Sequence, residues 1–260
     1  SYHFHRIFRG MVGESLKEYV RRLRLERAAM QLKRSGETVT HVAFEAGYET
    51  HEAFTRAFRA MFGESPSQFR SNRSAVAFAK APSGVHYDPR GNPEDFQIPR
   101  AGGEEMKVEI KKVEPKRVAF MRHVGPYLEC GPTWERLLAW MGSHGLLRPG
   151  TPFIGICHDD PEVTPPEKIR YDACVPVDED FEPEGDVGVQ VIAGGEYAVT
   201  THFGPYERLG ETYAKLCGQW VPQSGRQLRA SPCFDVYLND PESTKPEDLL
   251  TDIHVPLESE

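Results

Sequence analysis

The stretch PCFDVYLND, residues 232–240, alternates in the manner of a strand, with Phe234, Val236 and Leu238 on one side and Cys233, Asp235 and Tyr237 on the other. The apolar set is expected to form core against a helix, which leaves Asp235 on the opposite face with Tyr237. A carboxylate without a partner in an apolar chamber is unfavourable unless a cation compensates it. Aromatic walls would add cation–π attraction, and Tyr127, Tyr206, Trp134, Phe153 and Trp220 are the rings available. With Asp235 and Tyr237 these residues are expected to bind a lipophilic cation or a small amphiphile. The plain alternative is an exposed strand aspartate in an ordinary salt bridge. Nothing in this chemistry calls for a metal or a cofactor. The five cysteines (130, 157, 174, 217 and 233) form no CxxC pair and suit reduced thiols better than a zinc site. His123 and His202 have no carboxylate or thiol at metal or triad spacing and are expected to pack at strand ends.

The elements that would position these groups occur twice. HVGPY at 123–127 returns as HFGPY at 202–206, an offset of 79 shared by Thr133 with Thr212 and Leu137 with Leu216. Further on, DDPEVTPPEKIRYDACVPV (159–177) parallels NDPESTKPEDLLTDIHVPL (239–257) at an offset of 80. Several blocks repeated in one order indicate a duplication. Each unit, about 106–180 and 185–260, is expected to hold a β-hairpin ending in the GPY turn, a helix and two further strands. In the first unit these fall near 108–113, 117–124, 133–142, 153–158 and 169–177. Pairing two such units leaves a groove along a pseudo-twofold axis, a common place for ligands. The offset of 80 carries Asp235 onto Gly155, so one copy has an acid where the other has nothing. Space beside a single carboxylate is the expected result.

Residues 1–73 have helical periodicity. Ser15 and Glu18 form a capping box, an apolar stripe follows through Leu16, Tyr19, Val20, Leu23 and Leu32, and Gly36 ends the run. A short apolar face of Val39, Val42, Ala43 and Ala46 then precedes Gly47, after which Thr50 can cap a helix carrying Phe54, Arg56, Phe58 and Arg59. Two short helices about a glycine turn make a helix-turn-helix pattern. From 74 to 105 the period is lost amid Pro, Gly and charge, and a linker is expected. The charge divides in the same way: 13 Lys/Arg against 8 Asp/Glu in residues 1–73, and 18 against 31 in the remainder. A basic part facing an acidic polymer and a second part with another task would account for it. With no apolar run of membrane length and no signal-peptide pattern, the expected location is the cytoplasm.

Residues 1–73, through HRIFRGMVGESLKEYVRRLRLERAAMQL and VAFEAGYETHEAFTRAFRAMFGESPSQFR, resemble the DNA-binding domain of AraC/XylS transcription regulators. Residues 106–260, through the doubled GPY turn and the FDVYLNDP…TKPEDLLTDIHVPL ending, resemble the GyrI-like effector-binding domain attached to Rob-type regulators. The resemblance implies an α+β multidomain protein. An all-α helix-turn-helix domain, lacking its first two helices, would cover 1–73. A linker would follow at 74–105, and a duplicated SHS2-type ββαββ domain with a pseudo-twofold groove would fill 106–260. Carried over position by position, the DNA-reading candidates are Tyr2, His5 and Arg6 on one recognition helix and His51, Glu52 and Arg56 on the other. Arg can pair bidentately with guanine, and Glu can accept from cytosine N4. The family favours a glutamate where this chain has Asp235, which shortens the reach by one methylene. The implied function is effector-responsive transcription regulation without catalysis, with double-stranded DNA, a small cationic or amphiphilic effector and RNA polymerase as partners. Two alternatives remain: a GyrI-like hydrolase of electrophilic small molecules, with Asp235 as general base, and a protein that sequesters a toxin or drug.

Overall fold

The computed structural model describes residues 3–72, 75–91, 96–98, 106–161 and 163–259. The chain divides into two compact units, Met11–Arg100 and a second made of Ser1–Gly10 with Ala101–Glu260.

In the unit Met11–Arg100, helix α2 (Leu16–Arg34) starts at the predicted capping box. Ser15 Oγ accepts from the Glu18 N–H, and the Glu18 carboxylate accepts from the Ser15 N–H. Its buried face is Leu25, Ala28, Ala29 and Leu32, packed with Val42 and Ala43 of α3 (Val39–Glu45), Phe54 and Phe58 of α4 (His51–Phe62), and Phe69 of α5 (Pro66–Ser71). Between α3 and α4 the chain turns through Gly47, whose φ of +81° favours glycine. Thr50 then caps α4 by accepting from the Ala53 N–H at 3.1 Å. This is the helix-turn-helix that the spacing predicts.

The expected linker is a correction. Residues 75–91 lie against this unit, with Val76 and Phe78 on its core and Ala81 and Ser83 buried. They are tied down by Glu26, fully buried on α2, which accepts from His86 Nδ1 at 3.0 Å, from the Tyr87 N–H at 2.8 Å and from Arg22 at 3.1 Å. Arg22 also donates to the Val85 carbonyl and pairs with Glu14. An aperiodic segment can be fixed by hydrogen bonds to one buried carboxylate, and such bonds leave no mark on hydrophobic period.

The other unit is one eight-stranded antiparallel sheet in the order β1-β6-β8-β7-β3-β4-β2-β5. The strands are β1 (Glu109–Val113), β2 (Lys116–Val124), β3 (Phe153–Cys157), β4 (Arg170–Pro176), β5 (Gly188–Ile192), β6 (Gly195–Phe203), β7 (Cys233–Tyr237) and β8 (Leu250–Pro256). Each repeat contributes four of them, with α6 (Gly131–Ser143) in the first. In the second repeat α7 (Leu209–Lys215) runs through a π-helical stretch, Leu216–Trp220, into α8 (Val221–Ser224).

The predicted hairpins do not form. β1 pairs with β6 of the other repeat, and β5 pairs with β2, so the repeats exchange their first strands. Only two residues separate β1 from β2, a reach of roughly 11 Å. In a flat sheet those strands would stand about 29 Å apart. The sheet therefore curls. The curl turns one face onto itself: Val118, Ile154, Ile156, Cys174, Ile192, Tyr197, Val199 and Phe234 form a buried cluster of strand side chains alone. Helices cover the other face. Leu137 and Met141 of α6 pack on Ala119, Ala173 and Val175, and Tyr213, Leu216 and Cys217 pack on Ala198, Cys233, Ile253 and Val255.

β3 and β7 join the two repeats, with Gly155 opposite Asp235. In an antiparallel pair related by a twofold, a residue faces its own repeat counterpart only on the axis. The sequence offset and the strand register thus agree on where that axis lies.

A candidate cation chamber on the repeat axis

Asp235 is buried, 2% exposed, which rules out the exposed salt-bridge reading. The alternation along β7 is as predicted, but its sides are reversed. Phe234 joins the strand-only cluster and Leu238 is half exposed, while Cys233 and Asp235 lie on the helix-covered face beside Tyr213. A period of two gives two faces without saying which one a helix covers. Here both are apolar because the curl buries the second.

The carboxylate accepts from the Tyr213 hydroxyl at 2.6 Å, and the Cys157 thiol lies 3.7 Å from its other oxygen. Burial pushes its pKa up to about 6, against the Tyr213 hydrogen bond and the nearby charge of Arg6, which pull it down. The space expected beside Gly155 is filled. A β-carbon there would collide with the Tyr171 hydroxyl and stand 2.7 Å from that of Tyr237. These two hydroxyls bond to each other at 2.8 Å, and the Trp134 indole N–H donates to Tyr171 at 3.0 Å. Glycine thus admits a tyrosine pair where a side chain would stand.

The rings predicted for the site largely meet. Trp134 contacts Phe153 and Tyr237 at 5.8 and 5.9 Å between centroids, Tyr206 contacts Tyr237 at 5.4 Å, and Tyr127 contacts Tyr171 at 5.9 Å. All are edge-on or nearly so, which suits the aromatic quadrupole. Each GPY turn delivers one of these tyrosines. Gly125 and Gly204 take φ of +146° and +115°, and His123 and His202 donate to the carbonyls of Pro126 and Pro205 to close their turns. Burial holds the Tyr127 hydroxyl well above its ordinary range and pushes Tyr206 up to about 12, so both stay neutral donors. Trp220 is placed elsewhere, on the cluster around Leu216 and Ile253.

Sequence reasoning missed Tyr171, Tyr213 and Cys157. The repeat offset of 79 that relates Tyr127 to Tyr206 also takes Trp134 to Tyr213, so Tyr213 was within its reach. Tyr171 corresponds to Thr251 and had no such signal.

The DNA-reading candidates fall in three places. His51, Glu52 and Arg56 lie on α4, with His51 half-buried in its first turn and Glu52 and Arg56 exposed one turn apart. Tyr2 lies outside the described residues. His5 and Arg6 belong to α1 (Phe4–Val12), where the His5 ring meets that of Phe4 edge-on. Arg6 packs against the sheet of its own unit. Its guanidinium stands 4.3 Å over the Tyr213 ring and donates to Cys233 Sγ at 3.1 Å. Desolvation is tolerable there because an aromatic face and a neighbouring carboxylate offset it. Burial pushes the Cys233 thiol up to about 11 in spite of Arg6, so it is a neutral partner.

The same sheet buries a second carboxylate on its strand-only face. Asp172 of β4 accepts two bonds from Arg122, at 2.8 and 2.9 Å, one from His158 at 2.7 Å and one from Gln190 at 2.9 Å. Burial alone would raise its pKa, but these bonds hold it at about 2. Among the described residues no group of His, Cys, Asp and Glu is arranged to hold a metal, and no helix is long and apolar enough to cross a membrane.

A family model of the GyrI-like small molecule binding domain matches residues 106–258. The chain belongs to that family. A helix-turn-helix domain model matches residues 1–72, so an AraC-type helix-turn-helix region precedes the GyrI-like domain, as the resemblance implied. The chain is similar to a DNA gyrase inhibitor of Erwinia billingiae, 34% identical over 140 residues, covering 52% of this chain and 88% of that protein. It is also similar to the probable transcriptional regulator YgiV of Escherichia coli, 36% identical over 106 residues, covering 40% of this chain and 66% of the relative. Among solved structures, the C-terminal domain of EcmrR aligns at a TM-score of 0.47 and 21% identity, over 60% of this chain and 99% of that one. The GyrI-like protein is thus a regulator with a DNA-binding region and a ligand-binding domain.

Proposed function

We propose that the chain is a sequence-specific transcription regulator whose GyrI-like domain binds a small amphiphilic cation against Asp235. The observation that carries this reading is a carboxylate on the repeat axis, buried among aromatic rings, whose pKa burial has raised to about 6. Such a group gains most from a ligand that brings positive charge and apolar surface together. Tyr127, Trp134, Phe153, Tyr206 and Tyr237 form the aromatic surround. On the DNA side, Arg56 and Glu52 on the exposed face of α4 would read base edges of a double-stranded operator, with His51 beside them. Work at an operator places the protein in the cytoplasm with RNA polymerase as a further partner, and no catalytic step is assigned to Asp235.

The test is tryptophan fluorescence of the full chain titrated with tetraphenylphosphonium and, as a neutral control, triphenylphosphine oxide. Saturable quenching by the cation, weakened at least about tenfold in Asp235→Asn, is expected from loss of the carboxylate charge. Binding that ignores charge and substitution alike would overturn the assignment. For DNA, a shift on duplex that falls steeply with salt and weakens in Arg56→Ala is expected.

A further inference from the structure

We propose that Arg6 is a built-in competitor for the effector: α1 carries a guanidinium into the chamber at the place a ligand's cation would take, and a ligand binds by displacing it. The inference rests on the cation reading of Asp235 and adds to it a closed, self-occupied state. Two observations carry it.

The first is what holds the guanidinium. Arg6 lies over Tyr213, the residue that donates to Asp235, and donates to Cys233, which faces Cys157 across the β3–β7 pair. Cys157 in turn contacts Asp235. The cation is held by a ring face and a sulfur, near enough to the carboxylate for its charge to act on it. The ring contact is one that an aromatic cation can make in its place.

The second is that the docking of α1 is built into the backbone. Gly10 of α1 crosses Gly218 with no room for a side chain on either. A β-carbon on Gly10 would strike the Ala214 carbonyl oxygen and stand 2.6 Å from the Gly218 Cα, and one on Gly218 would stand 2.7 Å from the Ile7 carbonyl oxygen. Gly218 lies in the π-helical stretch, and the widened turn there receives α1. Gln219 donates to the Gly10 carbonyl at 3.3 Å, and His3 Nε2 to the Arg229 carbonyl at 3.1 Å. The glycine crossing and the arginine insertion are separate features of one helix, and both fix the same docked position.

Exclusivity would then couple the two sites. One guanidinium cannot lie in the chamber and pair with a base at once. A ligand that expels Arg6 frees the residue that the resemblance places at DNA, and by linkage DNA contact through Arg6 would open the chamber.

A docked helix lowers apparent affinity by the fraction of molecules in which it is undocked. The experiment uses the full chain, Arg6→Ala, Gly10→Ala and Gly218→Ala, with tetraphenylphosphonium as probe. Affinity is read by tryptophan fluorescence and helix docking by amide hydrogen exchange over residues 3–12. Arg6→Ala removes the competing charge, while the two alanine-for-glycine variants undock α1 and keep the carboxylate and rings. All three should bind the probe about tenfold or more tightly than the parent chain, and saturating probe should speed exchange across residues 3–12 in the parent. Equal affinity in all four chains, with exchange indifferent to probe, would overturn the competition and leave the cation reading standing. Failure of every chain to bind, Arg6→Ala included, would overturn the cation reading and this inference with it.

Discussion

Asp172 and Asp235 lie on opposite faces of one sheet, each shielded from water, and their surroundings could hardly differ more. Asp172 collects four hydrogen bonds, two of them from an arginine fork, and is held at about 2. Asp235 has one strong donor, Tyr213, and a thiol, and burial raises it to about 6. Donors satisfy the first and make it part of the framework. The second has few donors and only the charge of Arg6 nearby, which is unfavourable for folding and favours a ligand that brings a better-placed positive charge. The repeat sharpens the contrast. Asp172 has a counterpart in Asp252, which accepts from Thr201 at 2.6 Å, whereas Asp235 has only Gly155. The carboxylate kept in both copies is the one held by donors, and the unmatched one is the proposed partner of the cation.

The largest effect expected from breaking this contrast is on stability. Asp172→Asn would strip Arg122 and His158 of their buried partner and should destabilise the protein by about 3 kcal/mol, read by urea unfolding at neutral pH. Probe affinity of the folded fraction should be unchanged. Asp235→Asn should do the reverse, stabilising at neutral pH on the order of 2 kcal/mol while losing the cation.

The two aspartates also predict opposite pH dependences. Asp235 titrates in the folded state near 6, above its ordinary 3.8, so the folded chain holds that proton more tightly than the unfolded one. Its contribution to stability is complete below about 3.8 and is lost as pH rises through about 6. Asp172 is depressed, so its contribution is present above about 3.8 and is lost as pH falls through about 2. The gain in Asp235→Asn should therefore vanish at about pH 4 and grow toward neutrality, which unfolding curves at several pH values would show.

Smaller effects refine the axis itself. Gly155→Ala would push a β-carbon into the Tyr171–Tyr237 hydroxyl pair and should cost about 1–2 kcal/mol, with weaker probe binding from displaced rings. Tyr213→Phe removes one donor to Asp235 and should cost about 1 kcal/mol, moving the carboxyl titration further up.

Much of this site was legible in the sequence, and the misses have definite causes. The duplication marked the GPY tyrosines and, through one offset, the correspondence of residue 155 with 235, which the strand register then shows to be a cross-strand pair on the axis. Trp134, Phe153, Tyr127 and Tyr206 stand out in the sequence only as available rings, and the structure brings them into contact with Tyr237, Tyr171 or one another. The side of β7 that carries Asp235 was not legible, since a curl that buries both faces removes the difference in polarity that sidedness is judged by. Strand exchange was hidden for a related reason: β1 and β2 adjoin in sequence like a hairpin, and only the whole sheet shows that they pair with the other repeat. The packing of residues 75–91 and the position of Arg6 depend on single long-range partners, Glu26 in one case and Tyr213 with Cys233 in the other. Such contacts carry no period in the chain.

The most direct measurement is a carbon-13 NMR titration of the aspartate carboxyls of the full chain, with assignment by Asp235→Asn and Asp172→Asn, in the absence and presence of tetraphenylphosphonium. Asp235 is expected to titrate near 6 in the parent chain and, in Arg6→Ala, where no guanidinium has to be exchanged, to move downward when the cation binds, while Asp172 stays near 2 throughout. An Asp235 carboxyl that titrates in the ordinary range, or one that saturating cation leaves unmoved in Arg6→Ala, would contradict the cation reading.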